Sequence, residues 1–147
     1  MKTLTLLELL EIIGMPYKTF SKDRKKYIEK WQRYTTHFAV KGRGSSAVVT
    51  LSSLDIFLFE GHARREWGFG EKIDYVVLYT LYEIVMERDG YFLPSYSNLS
   101  RQLGVHRNTI GKYFNLLEEK GIIQKQVEYE DRRWRRVKAL PQFHTTQ

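Results

Sequence analysis

The chain has 147 residues, 42% hydrophobic and 28% charged, with no cysteine. That suits one ordinary globular domain or two very small ones and excludes a disulfide framework, a thiol nucleophile and cysteine-bound zinc. The formal charge of +7 draws the surface towards polyanions, and no run of about 18 apolar residues offers a membrane span. The charge is also unevenly spread. Residues 1–70 hold 12 Lys and Arg against 7 Asp and Glu, residues 71–89 hold 2 against 5, and residues 90–147 hold 10 against 5. Two basic ends around an acidic middle predict two contact surfaces joined by a segment that stays off phosphates. The absence of cysteine fits a reducing cytoplasm, the expected location, in association with the nucleoid.

In chain order, Thr5 to Ile13 reads as an amphipathic helix, interrupted by Glu8 and Glu11 and so neither leader nor anchor. Gly14-Met15-Pro16 is a turn. Ser21 to Tyr34 reads as a second helix, capped by Ser21, in which Tyr27, Ile28 and Trp31 pack and Lys22, Arg24, Lys25, Lys26 and Lys30 form a basic face. Phe38 to Lys41 and Ala47 to Leu51 alternate as strands around Gly42-Arg43-Gly44-Ser45-Ser46. Helix, turn, basic helix and hairpin make the order of a winged helix, with Lys22, Lys25, Lys26 and Arg43 as candidate phosphate contacts. The rival reading is a helical cap whose basic face serves solubility or an acidic partner. Asp55 to Phe59 closes this domain or packs between domains, and Gly61 to Gly70 reads as a linker. The expected domains are 1–70 and 71–147.

Apolar residues at Ile73, Val76, Val77, Leu81, Ile84 and Val85 mark a long helix from Glu71 to Asp89, stopped by Gly90. Tyr91 to Pro94 is extended, since the residue before proline avoids the helical region. Ser95 caps a helix with Leu99 and Leu103 on its buried stripe and Gly104 as its left-handed stop. Residues 106–120 are helical again, with Ile110, Phe114 and Leu117 inward and Gly121 as the stop. The first two turns carry His106, Arg107, Asn108, Thr109, Lys112 and Tyr113, the end that a recognition helix inserts into the major groove. A cation beside the positive helix end is mildly unfavourable unless it meets phosphate or guanine; His106 alternatively caps the helix. Ile122 to Val127 and Trp134 to Leu140 alternate as the strands of a wing with a charged tip. There Arg133 and Arg135 fall on one face and Arg132, Trp134 and Arg136 on the other. All four arginines are candidates for backbone or narrow-groove contact, with Trp134 packing at the wing's base.

Leu93-Pro94-Ser95, Leu99, Leu103-Gly104-Val105, Arg107, Thr109-Ile110, Leu117-Glu118 and Gly121-Ile122-Ile123 stand in order and at fixed spacing across about a third of the chain. This pattern resembles the winged helix-turn-helix of the GntR type. The resemblance implies that Arg107 and Thr109 make groove and phosphate contacts and that Ser95 caps its helix and meets a phosphate. Gly111 departs from the long polar residue common in that family, and the wing has arginines in place of a glycine-rich tip. The family's ligand-sensing domain would follow the wing, yet only seven residues follow Leu140, so no small-molecule effector is expected.

Gly42-Arg-Gly-Ser-Ser leads into a strand and lacks the Gly-Lys-Ser/Thr ending of a phosphate loop. The four histidines are scattered, no serine sits in a nucleophile elbow, and the carboxylates form no two-metal pattern. Hence no cofactor, metal or enzyme activity is expected. The fold expected is α+β, mostly helical, with two small winged helix-turn-helix domains in tandem. The function expected is sequence-specific binding of double-stranded DNA by a small transcriptional regulator of a phage, plasmid or other mobile element, as a monomer or a homodimer on inverted repeats. The alternatives are a replication or partition initiator on origin repeats and an interaction module docking a polymerase or replisome subunit.

Overall fold

A computed structural model describes residues 1–127 and 135–139 and shows an α+β, mostly helical chain. It divides into two compact units, Met1–Val76 and Val77–Gln147.

The first unit opens with a strand that the helical periodicity of Leu4 to Ile13 hides. β1 (Lys2–Thr5) pairs antiparallel with β3 (Val48–Leu51), which also pairs with β2 (Phe38–Lys41), giving the sheet order β1-β3-β2. Thr5 ends β1 and starts α1 (Leu6–Ile13) with a reciprocal cap. Its Oγ1 accepts from the Glu8 amide at 3.1 Å while the Glu8 carboxylate accepts from the Thr5 amide at 3.0 Å. The Thr5 amide, and after it the Thr5 hydroxyl, hold the Glu8 carboxyl below its ordinary pKa by hydrogen bonding to it. Gly14 closes α1 at φ 84°.

Pro16, its φ already helical, starts the next helix earlier than Ser21 could, so α2 runs Tyr17–Lys22 and α3 runs Arg24–Trp31. The single helix expected over Ser21 to Tyr34 is thus broken at Asp23 (φ −133°, ψ 41°), and Ser21 lies inside α2, its hydroxyl donating to the Lys18 carbonyl. Phe20, Tyr27 and Trp31 point inward from these helices, and Trp31 meets Phe38 and Phe57 edge-on. Phe20 lies nearly parallel to Trp31 with centroids 5.6 Å apart, and Phe38 stacks on Phe57 at the same distance.

Phe57 belongs to α4 (Asp55–Glu66), which replaces the linker expected from Gly61 onward. Glycine at 61 looks like a chain break in a sequence, but here it lets α4 approach α1. A Cβ on Gly61 would sit 1.9 Å from the Ile12 carbonyl oxygen. Arg65 reaches over the same spot and donates to that oxygen at 3.1 Å. One turn of α4 carries a buried ion pair: Glu60 is fully buried, accepting from the Tyr34 hydroxyl at 2.5 Å and from Arg64 Nε at 2.8 Å, with Arg64 Nη2 at ion-pair distance, 2.8 Å, but not hydrogen-bonded to it.

α5 (Tyr75–Met86) starts later than the expected Glu71 because Asp74 caps it, its carboxylate accepting from the Val76 amide at 3.1 Å. In the second unit follow α6 (Tyr96–Leu103), α7 (Arg107–Glu119), β4 (Ile123–Val127) and β5 (Arg135–Ala139). β4 and β5 form an antiparallel hairpin in register Ile123↔Ala139 to Val127↔Arg135. The extended piece before Pro94 has a structural role: Phe92 exchanges both backbone hydrogen bonds with Val137, a single antiparallel bridge on the free side of β5. Leu99, Ile110, Phe114, Leu117, Ile122, Ile123 and Val137 are buried in this unit. Among the described residues, no helix is long and apolar enough to cross a membrane.

Candidate nucleic-acid interface

Ser95 caps α6, its hydroxyl accepting from the Asn98 amide at 3.2 Å, and Gly104 ends α6 in the left-handed region at φ 69°. The Gly104 and Val105 amides both return to the Ser100 carbonyl, at 2.9 and 3.3 Å, which fixes the angle at which the chain enters α7. His106 is the N-cap of α7. Its Nδ1 accepts from the Asn108 amide at 3.0 Å, so the imidazole is engaged in the cap while staying exposed.

Helical spacing then divides α7. Ile110, Phe114 and Leu117 are fully buried, and Arg107, Asn108 and Lys112 are exposed with Thr109 half-buried. Tyr113, grouped with the contacts by its position in the first two turns, is only 7% exposed. It stands three residues after Ile110 and four before Leu117, on the inward face, and so leaves the contact set. Gly111 faces Tyr96, where a Cβ would lie 3.5 Å from the ring; Tyr96 in turn stacks on Phe114 with centroids 5.5 Å apart. A Cβ there would make ordinary van der Waals contact with the ring, so the packing at this position does not itself require glycine.

Three polar side chains on these elements lie outside the set that the sequence singles out. Asn98 and Arg101 are exposed on α6, the guanidinium donating to the amide oxygen at 2.5 Å; their i, i+3 spacing was the available signal. Lys125 of β4 joins the hairpin to α7: its amide donates to Glu118 at 3.2 Å and its ammonium bonds Asn115. Because β4 follows α7 by a tight Gly121-Ile122 turn, this contact sets where the hairpin stands relative to the exposed face of α7. Arg135 and Arg136 begin β5, opposite Val127 and Gln126. Arg132, Arg133 and Trp134 lie outside the described residues.

In the first unit Lys22, Lys25, Lys26 and Arg43 are all exposed. Lys26 is partly engaged, 3.7 Å from Glu71, whose carboxylate also accepts from the Tyr27 hydroxyl. That bond holds Glu71 below the usual carboxylate range, while burial and then the same bond push Tyr27 up to about 12. Arg24, half-buried, spans from α3 to the hairpin, its guanidinium donating to the Gly42 carbonyl at 3.1 Å and lying over the Phe20 ring. A concavity lined by Tyr17, Ser21, Arg24, Gly42, Arg43 and Gly44 results. Among the described residues, no group of three His, Asp or Glu side chains could hold a metal ion.

The arrangement of α6, turn, α7 and hairpin, with the Phe92 bridge beside β5, is that of a winged helix-turn-helix. A family model described as a helix-turn-helix domain matches residues 80–123, from within α5 to the start of β4. Among solved structures, this chain is similar to reduced AbfR bound to DNA at 20% identity over 57% of each chain, with a TM-score of 0.37. It is also similar to Streptococcus pneumoniae FabT in complex with DNA at 23% identity, over 62% of this chain and 60% of that one, with a TM-score of 0.39. Both alignments span less than two thirds of the solved chain. No curated protein matches.

Proposed function

We propose that this protein binds a specific double-stranded DNA site and acts as a small transcription regulator, with the GntR-type helix-turn-helix as its reader. One observation carries this reading. The first two turns of α7 present Arg107, Asn108 and Lys112 to solvent beside the exposed His106 cap, while the opposite face is anchored in the core. A rigid helix with a polar, cationic leading end is what the major groove accepts, and Arg to guanine and Asn to adenine are its best-matched pairings. Thr109 and the exposed Ser95 supply hydroxyls for phosphate contact, and Arg132, Arg133, Arg135 and Arg136 supply the wing's charge.

Selection of bound duplexes from a random library at fixed salt, followed by footprinting, defines the site. On that site Arg107→Ala should weaken binding roughly ten- to a hundredfold, as expected when one good base pairing is removed, and relax preference at one base pair. Unchanged affinity for the cognate duplex would remove α7 from the role of reader. Replacing the four wing arginines with alanine should weaken cognate and random duplexes alike and lower the salt slope by about 0.9 for each phosphate that the wing no longer neutralises. If only the cognate preference moved, the wing would be reading bases instead.

A further inference from the structure

The two units repeat one pattern at a constant offset along the chain. Thr5 and Ser95 are hydroxyl caps that accept from the amide three residues on. Leu9 and Leu99 are buried four residues after the cap, and Gly14 and Gly104 end their helices at φ 84° and 69°. The Gly14 and Met15 amides both return to the Leu10 carbonyl, as the Gly104 and Val105 amides return to that of Ser100. Pro16 and His106 are both N-caps, each carbonyl accepting from the amides three and four residues later, and Phe20 and Ile110 are both fully buried one turn in. In each unit the extended segment before the hydroxyl-capped helix pairs antiparallel with the second strand of the hairpin, β1 along β3 as a ladder and Phe92 with Val137 of β5 as a single bridge.

Local signals alone place the basic helix of the first unit at Ser21 to Tyr34. The register instead matches α2 with the start of α7, so that Tyr17, Lys18, Thr19 and Lys22 stand where Arg107, Asn108, Thr109 and Lys112 stand. Lys18, Thr19 and Lys22 are exposed and Tyr17 is half-buried. Beyond Lys22 the units diverge: α7 continues, whereas the chain bends at Asp23 and α3 presents Lys25 beside the same surface. Arg24 ties the hairpin down at Gly42, leaving Arg43 exposed across the concavity from Tyr17 and Ser21. Asp23 and Glu29 are the acidic residues among Lys22, Lys25 and Lys26.

We infer that the first unit is a second duplex-DNA-binding module, which docks α2 as the other unit docks α7. Lys18 and Lys22, with Tyr17, face the groove, and Lys25 and Arg43 meet the phosphates on either side. Charge selects the partner, since an exposed cationic helix face flanked by a cationic hairpin complements a duplex backbone. The inference rests on the reading of α7 as a DNA reader, because the matched register is what assigns α2 its role. Two linked modules raise each other's effective concentration, so disabling one costs far more than its own share of the binding.

The test uses the full chain and the duplex that it selects from a random library. Wild-type protein should protect two separate patches from hydroxyl radicals. A variant carrying Lys18→Ala, Lys22→Ala and Arg43→Ala should lose one patch, keep the other, bind about 100-fold more weakly and show a salt slope lower by about 0.9 for each phosphate that the module no longer neutralises. The three side chains are exposed, so its thermal midpoint by circular dichroism should match wild type. Arg107→Ala should affect the other patch. If the triple variant keeps full affinity and both patches while Arg107→Ala weakens binding, the first unit is no DNA module and the reading of α7 stands. If no duplex is selected, or neither variant changes binding, both readings fall together.

Discussion

Replacing Gly61 with alanine should cost the first unit about 3 kcal/mol or more. The added Cβ would lie 1.9 Å from the Ile12 carbonyl oxygen and 3.0 Å from its carbon, both backbone atoms that cannot swing aside. Relief requires α1 and α4 to part, and α1 carries the buried Leu6, Leu9, Leu10 and Ile13. Helix propensity works the other way, since alanine is favoured over glycine in a helix interior by about 1 kcal/mol. A stabilised variant would therefore show that the close approach is absent in solution. Gly70→Ala is the control: its Cβ would meet nothing within 4 Å, and the change should stay within about 0.5 kcal/mol. Urea melts followed by tryptophan fluorescence report on this unit through Trp31 and Trp67 once Trp134 is replaced by phenylalanine in every variant.

A loss of about 3 to 5 kcal/mol is expected for Glu60→Ala, one residue earlier on the same helix. Glu60 has no solvent exposure and the Arg64 side chain only 18%, so removing the carboxylate leaves a guanidinium with little water to replace it. The Tyr34 hydroxyl loses its acceptor as well. The mechanism is separable from lost packing by a second substitution. Pairing Glu60→Ala with Arg64→Met removes the stranded charge and should recover most of the stability, because apolar replacement of a buried ion pair is often neutral or better. If the double variant is as unstable as the single one, the cost lies in the cavity rather than in the charge.

Gly61 also shows where sequence reading stops. A glycine followed by charged residues and ending at Gly68 and Gly70 carries the local marks of a linker. What makes it helix is a partner surface, and that surface lies on α1, far away along the chain. β1 is hidden in the sequence for a related reason: Leu4 continues the apolar spacing of α1, and a four-residue edge strand exists only because β3 offers a ladder to pair with. In the second unit local signals sufficed. Ser95, Gly104 and His106 act as cap, stop and cap within a few residues of where they stand, so the positions of α6 and α7 could be read directly. Tyr113 could not, since an aromatic residue with a polar tip suits either face and only its neighbours' burial decides.

By itself, the sequence determined the mostly helical α+β class, the helix-turn-helix between Ser95 and Glu119, and the cationic character of both ends. Each of these follows from short-range rules: caps act within one turn, hydrophobic spacing within a few, and net charge needs no coordinates at all. Tertiary structure decided the break at Asp23, the existence of α4, the burial of Glu60 with Arg64, and the bridge from Phe92 to β5. It also decided the register that matches α2 with α7. Those features depend on contacts between segments distant in the chain, where packing and hydrogen-bond pairing outweigh local preference.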